Sequence, residues 1–135
     1  QPRSIRRSAY DVELIDRADN TWLVVLQQTV HHMQNFHPGE KRTCGILVSP
    51  AVMGDLQAVM DTTILDRTVL DAAVSLVQDA KGLEFDYVII ADPVGMVEAS
   101  PQGLNDLFVA MTRATQALAI VHDGAVPYCL SDLVE

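Results

Sequence analysis

The sequence predicts an α/β fold built on a mostly parallel central sheet. Three observations carry that prediction. Residues 44–48, 87–91 and 117–121 are short apolar runs, the pattern of strands covered on both faces. Between them lie segments whose apolar residues return every three or four positions. Turn and cap signals such as His37-Pro38-Gly39 and Ser49-Pro50 separate the two patterns, and no internal repeat or low-complexity tract breaks the alternation.

Residues 1–10 have no periodicity and read as an extended lead-in to a single domain over 11–135. Residues 12–15 are a candidate short strand. From 20 to 36, Trp22, Val25, Leu26, Thr29, Met33 and Phe36 recur at helical spacing, with Asp19 or Asn20 placed to cap the start. After the strand at 44–48, Ser49 supplies an N-cap and Pro50 a first-turn proline. Val52, Met53, Leu56, Val59 and Met60 mark the buried stripe of the helix that follows. Residues 62–71 match neither period. Strands are expected at 74–77 and 87–91, and the link at 78–86 is short for a parallel crossover. Either it holds a single helical turn or the two strands are not neighbours. The clearest helix is 101–115, with Leu104, Leu107, Phe108 and Met111 at i, i+3, i+4 and i+7. A last strand at 117–121 leads to a polar turn and an apolar patch around Leu130, Leu133 and Val134.

A chain of 135 residues, 49% of them hydrophobic, can bury one real core. No apolar run approaches the roughly 20 residues needed to cross a bilayer, and no segment resembles a signal peptide. The chain opens at Gln1 without methionine, as an excised piece would. Cys44 and Cys129 form no paired motif and are too few for a disulfide framework, so a reduced, cytoplasmic setting is expected. The net charge is −9. Such an acidic body repels phosphate backbones, so any contact with nucleic acid must be local or made mainly by another domain. The four histidines lack partners at ligand spacing, and no nucleophile elbow surrounds a serine, so neither a metal site nor a hydrolytic triad is expected.

Two segments hold chemistry. In Val77-Gln78-Asp79-Ala80-Lys81-Gly82-Leu83-Glu84-Phe85-Asp86, a strand gives way to a loop with a cation, a glycine and an acid before a buried strand resumes. Glycine allows close backbone approach, and loops after strands in open α/β sheets commonly bind ligands. In Asp106-Leu107-Phe108-Val109-Ala110-Met111-Thr112-Arg113-Ala114, helical geometry puts Arg113 nearly opposite the apolar stripe, directed away from its own core.

Together, Lys-Gly-Leu-Glu-Phe-Asp and Val-Ala-Met-Thr-Arg-Ala resemble motifs V and VI of UvrD/Rep-type superfamily 1 helicases, in the expected order and setting. The likeness is dense over 74–122 and thinner over 44–60. It implies a three-layer RecA-like domain of the P-loop NTPase type. In such helicases ATP lies between two RecA-like domains. The resemblance assigns Arg113 to the γ-phosphate as an arginine finger and Glu84 to the ribose hydroxyls. It gives Gly82 and Lys81 the link between nucleotide and nucleic-acid track, with Gln78 on that coupling path and Thr112 helping to position its neighbour.

The departures are informative. Gln78 stands where family members commonly have histidine, and Gly103-Leu104-Asn105-Asp106 replaces an acidic-arginine run. The stretch from 50 to 74 is too short for the accessory domain that unwinding members insert. With the arginines at the start, this makes the sequence look most like the HelD branch, helicase-like ATPases acting on bacterial RNA polymerase. No G-x-x-x-x-G-K-[ST] loop occurs in the chain. The resemblance therefore implies that ATP and Mg2+ are held mainly by an N-terminal RecA-like domain, and that the isolated chain has no ATPase activity. The expected partners are that domain, single-stranded DNA and, in the HelD reading, RNA polymerase. A non-catalytic interaction module retaining helicase motifs is the rival.

Overall fold

The three apolar runs become the interior of one sheet, because a strand covered on both faces needs helices above and below it. The computed structural model describes residues 11–35, 42–60, 73–80 and 82–126. Its elements run β1 (Asp11–Asp16), α1 (Trp22–Gln34), β2 (Cys44–Val48), α2 (Pro50–Met60) and β3 (Ala73–Ser75). A 3-10 turn (Val77–Ala80), β4 (Phe85–Ala91), α3 (Pro93–Glu98), α4 (Gly103–Met111) and β5 (Ala114–His122) complete them. The strand order is β1-β5-β4-β2-β3, and every ladder is parallel. The predicted α/β class and its parallel sheet are those observed.

Period-two alternation divides the core into two layers. Ile46, Val48, Tyr87, Ile89, Ala119 and Val121 face α1 and α2, meeting Leu26, Val30, Met33 and Val52. Leu47, Val88, Ile90, Leu118 and Ile120 face α3, α4 and the 3-10 turn, meeting Met96, Leu107, Val77 and Ala80. Each fully buried aliphatic side chain stabilises the fold by roughly 1.5–3 kcal/mol.

The short link between β3 and β4 satisfies both of its predicted solutions. It contains one 3-10 turn, and the strands it joins are not neighbours, since both pair with β2 from opposite sides. The turn crosses β2 on the α4 side, seating Val77 and Ala80 in that core layer.

Several expectations need correction. Thr21, not Asp19 or Asn20, caps α1, its side chain accepting from the Val24 N–H. Ser49 caps α2 as predicted, accepting from the Val52 N–H. Helix α3 was not foreseen, although Asp92-Pro93 repeats the cap-then-proline signal of Ser49-Pro50. The expected helix at 101–115 contracts to Gly103–Met111, and its buried residues are Gly103, Leu107 and Ala110. Leu104 and Phe108 are 44% and 46% exposed instead of buried. The reason is steric: α4 approaches α3 so closely that a Cβ at Gly103 would overlap the carbonyl oxygens of Val97 and Met96. The small residues must therefore face inward, which rotates the larger ones out. Phe36, the apolar patch near the C-terminus and the lead-in lie outside the described residues.

Candidate functional site

An all-parallel sheet has two chemically different edges, one at the strand C-termini and one at their N-termini. The second motif reaches the N-terminal edge. Helix α4 ends there, with the Thr112 N–H on the carbonyls of Phe108 and Val109 and the Arg113 N–H on that of Ala110. Arg113 thus sits in the turn before β5 and not on the helix, which corrects the helical-wheel placement. The Thr112 hydroxyl donates to the Val109 carbonyl at 2.7 Å and accepts from one Arg113 amino group at 3.4 Å.

The first motif arrives at the same edge. Its sequence reading placed the ligand loop after a strand, yet residues 82–84 lie before β4, beyond the 3-10 turn. Gly82 holds φ +79, a left-handed conformation that favours glycine, although a Cβ there would touch nothing. The Leu83 N–H is tied back to the Ala80 carbonyl. Arg113 then donates to the Leu83 carbonyl at 3.3 Å, while its own carbonyl accepts the Phe85 N–H at 2.9 Å. Glu84 lies between those contacts with an exposed side chain. The structure therefore brings Arg113, Thr112, Gly82 and Glu84 to one corner. Gln78 belongs to the crossing 3-10 turn and is exposed. Lys81 lies outside the described residues.

The guanidinium is held but not satisfied. It has five N–H donors, makes two long bonds, and its Nε is buried without a hydrogen-bond partner among the described residues. A buried donor without an acceptor costs about 1–3 kcal/mol, so such groups normally meet a further partner. Three of the large exposed hydrophobics, Leu83, Leu104 and Phe108, sit on the loop and helix that lead to this arginine.

Sequence reasoning missed the supports of the corner. Thr43, which precedes β2, clasps Asp86 reciprocally. The Thr43 N–H donates to the carboxylate at 2.9 Å, and the Thr43 hydroxyl accepts the Asp86 N–H at 2.8 Å. Gln116 reaches the other carboxylate oxygen at 3.5 Å. The β4–β5 register slips between Phe85 and Tyr87, so these residues, two apart, pack on opposite faces. Phe85 then lies across β2, where a Cβ on Gly45 would come within 2.6 Å of its ring. The sequence offered no signal for contacts that join residues 43 apart.

The neighbouring thiol is not part of this chemistry. Burial of Cys44 pushes its pKa up to about 12, which keeps it protonated and unreactive at neutral pH. Among the described residues, no group of three or more His, Cys, Asp or Glu is placed to hold a metal ion. No helix among them is long and apolar enough to cross a membrane.

The fold is a three-layer α/β domain on a five-stranded parallel sheet, with this corner at its N-terminal edge. Residues 71–121, which contain the 3-10 turn, the 82–84 loop, α4 and Arg113, match the model of the UvrD-like helicase C-terminal domain family. Among solved structures, the chain is similar to the C-terminal domain of a possible DNA helicase from Lactobacillus plantarum WCFS1. The TM-score is 0.55 at 22% identity, over 93% of this chain and 81% of the other. No curated protein gives a match. The HelD branch finds no support in either likeness.

Proposed function

We propose that this chain is the C-terminal motor domain of an ATP-dependent, UvrD/Rep-like superfamily 1 DNA helicase, a hydrolase whose ATP lies between two RecA-like domains. The observation that carries the reading is the Arg113 guanidinium, fixed at the sheet's N-terminal edge with a buried Nε that has no acceptor among the described residues. A phosphate supplies paired acceptor oxygens and negative charge, which arginine's planar fork matches better than lysine's point charge. Arg113 would neutralise charge on the γ-phosphate as an arginine finger, the kind of contribution on which phosphoryl transfer largely depends. Glu84, exposed beside it, would meet the ribose, and Gly82 would let the backbone approach the nucleotide. Lys81, Gln78 and Thr112 would couple that site to nucleic acid. The chain has no phosphate loop, so ATP and its Mg2+ would be held mainly by the N-terminal RecA-like domain, with single-stranded DNA as the track and the cytoplasm as the setting.

The net charge of −9 favours one second reading, a HelD-type ATPase that remodels RNA polymerase, since an acidic surface suits a protein partner. DNA-stimulated hydrolysis with strand unwinding supports the helicase. Stable co-purification with polymerase and little unwinding supports the alternative.

The test is Arg113→Ala in the protein that carries this domain together with its phosphate-loop partner. Hydrolysis should fall roughly a thousandfold or more, with folding intact by thermal melting. The isolated chain should show no turnover. If Arg113→Ala hydrolyses ATP at the parent rate, the chain is a non-catalytic interaction module and the motor reading is lost.

A further inference from the structure

The geometry points to Asp86, clasped by Thr43, as a positioning residue that sets where the Arg113 guanidinium and the Glu84 carboxylate stand relative to each other. This deepens the motor reading and rests on it.

Beyond the contacts to Ala110 and Thr112 within its own turn, Arg113 is placed by residues 83–85 among the described residues. Its backbone carbonyl accepts the Phe85 N–H, and its side chain donates to the Leu83 carbonyl. The functional spacing is therefore only as rigid as that three-residue segment, which begins next to a glycine at positive φ. Its downstream end is anchored at Asp86. Both the N–H and the carboxylate of Asp86 engage Thr43, and the Tyr87 N–H donates to the Thr43 carbonyl at 2.9 Å. The carboxylate's second oxygen takes Gln116 from β5, within the register slip. Irregularities of this kind commonly re-aim side chains beside functional sites. One carboxylate thus ties the flanks of β2, β4 and β5 at the edge where Arg113 emerges.

Stability alone is a poor explanation for the clasp. Thr43 is exposed, and the pair sits where water competes for each of its bonds. What the clasp fixes is direction. A displacement of about 1 Å in a group that must meet a transferring phosphoryl costs about a hundredfold in rate.

Asp86→Ala, Thr43→Val and Thr43→Ser are compared in the protein that carries both domains, by steady-state ATP hydrolysis, ADP affinity and thermal melting. ADP lacks the γ-phosphate and so does not sense Arg113. The expected result is a kcat lowered roughly tenfold to a hundredfold for Asp86→Ala and Thr43→Val. KM and ADP affinity should stay within about twofold, the pattern of an interaction lost in the transition state. Thr43→Ser, which keeps the hydroxyl, should restore most of kcat. Should Asp86→Ala fail to fold, Gln116→Leu removes one ligand of the same carboxylate and should lower kcat severalfold in the same pattern. Parent kcat in the clasp variants while Arg113→Ala is inactive overturns the positioning role and leaves the motor reading standing. Loss of ADP affinity in step with kcat and melting temperature, unrescued by serine, overturns it in favour of a fold contact. An active Arg113→Ala removes the motor reading and this inference with it.

Discussion

The two ends of the β2–β4 pair hold the same chemistry and use it differently. At each end a hydroxyl flanking β2 meets an aspartate at that end of β4, within the strand at one end and just past it at the other, 43 residues later in both cases: Thr43 with Asp86, and Ser49 with Asp92. At the C-terminal end every group is consumed. The Ser49 hydroxyl, fully buried, donates to Asp92 at 2.7 Å and caps α2. Asp92 caps α3 through the Gly95 N–H, from a left-handed backbone with φ 67 that its own capping geometry stabilises. Gly95 is glycine because a Cβ would overlap that carboxylate. At the N-terminal end Thr43 is exposed and Asp86 half-buried, and beside them stand an arginine whose Nε has no hydrogen-bond partner among the described residues, an exposed acid and an exposed leucine. Open α/β sheets usually bind ligands beyond their strand C-termini. Here the Ser49–Asp92 pair is taken up by its own caps, and the Thr43–Asp86 pair stands beside Arg113 at the opposite edge.

The largest effect should come from Gly45→Ala, which strikes the open end from beneath. The new methyl meets the Phe85 ring at 2.6 Å, and that ring is flanked by Glu84 and the Asp86 clasp. Overpacking of this kind costs about 1–3 kcal/mol. Thermal unfolding should show that loss, and a cycle with Phe85→Leu should recover part of it. If Gly45→Ala melts like the parent, Phe85 moves freely and the open end is not braced as described.

This contact also shows where sequence reading stops. The strands at 44–48 and 87–91 were legible because period and apolarity are local properties, and so was the cap at Ser49. Arg113, Glu84 and Gly82 could be singled out because two short motifs resembled a known pair. The Gly45–Phe85 contact, the Thr43–Asp86 clasp and the register slip were not legible, since each depends on which strands become neighbours. The rotation of α4 was hidden for the same reason. Leu104, Leu107, Phe108 and Met111 fit a helical stripe, yet the close approach at Gly103 decided which of them faces the core.

A smaller effect separates the two clasps directly. Ser49→Ala leaves a half-buried carboxylate oxygen short of a donor and removes the α2 cap, so it should destabilise the fold by about 1–2 kcal/mol. Thr43→Val, which removes the hydroxyl of the exposed clasp, should cost under about 0.5 kcal/mol. Chemical denaturation midpoints of the two variants give the comparison. Equal losses would mean that the exposed end carries as much of the fold as the buried one, and the division between a closed and an open edge would fail.

The smallest expected change in stability is also the sharpest probe of what the open edge is for. Leu83 is 51% exposed in the loop that receives Arg113, and Val24 is 39% exposed in the first turn of α1, beyond the C-terminal end of β1. Leu83→Gln and Val24→Gln should each shift unfolding of the isolated chain by no more than about 0.5 kcal/mol, because neither side chain is packed in the core. On the proposed motor reading this domain would be joined to a phosphate-loop partner, and in that protein the two should diverge. A leucine at a domain interface loses its burial when made polar, so Leu83→Gln should weaken ATP hydrolysis severalfold while Val24→Gln leaves it unchanged. Equal hydrolysis in both would place the partner domain away from the 82–84 loop. An exposed apolar side chain next to an incompletely bonded guanidinium would then need a different explanation from the one that unites them here.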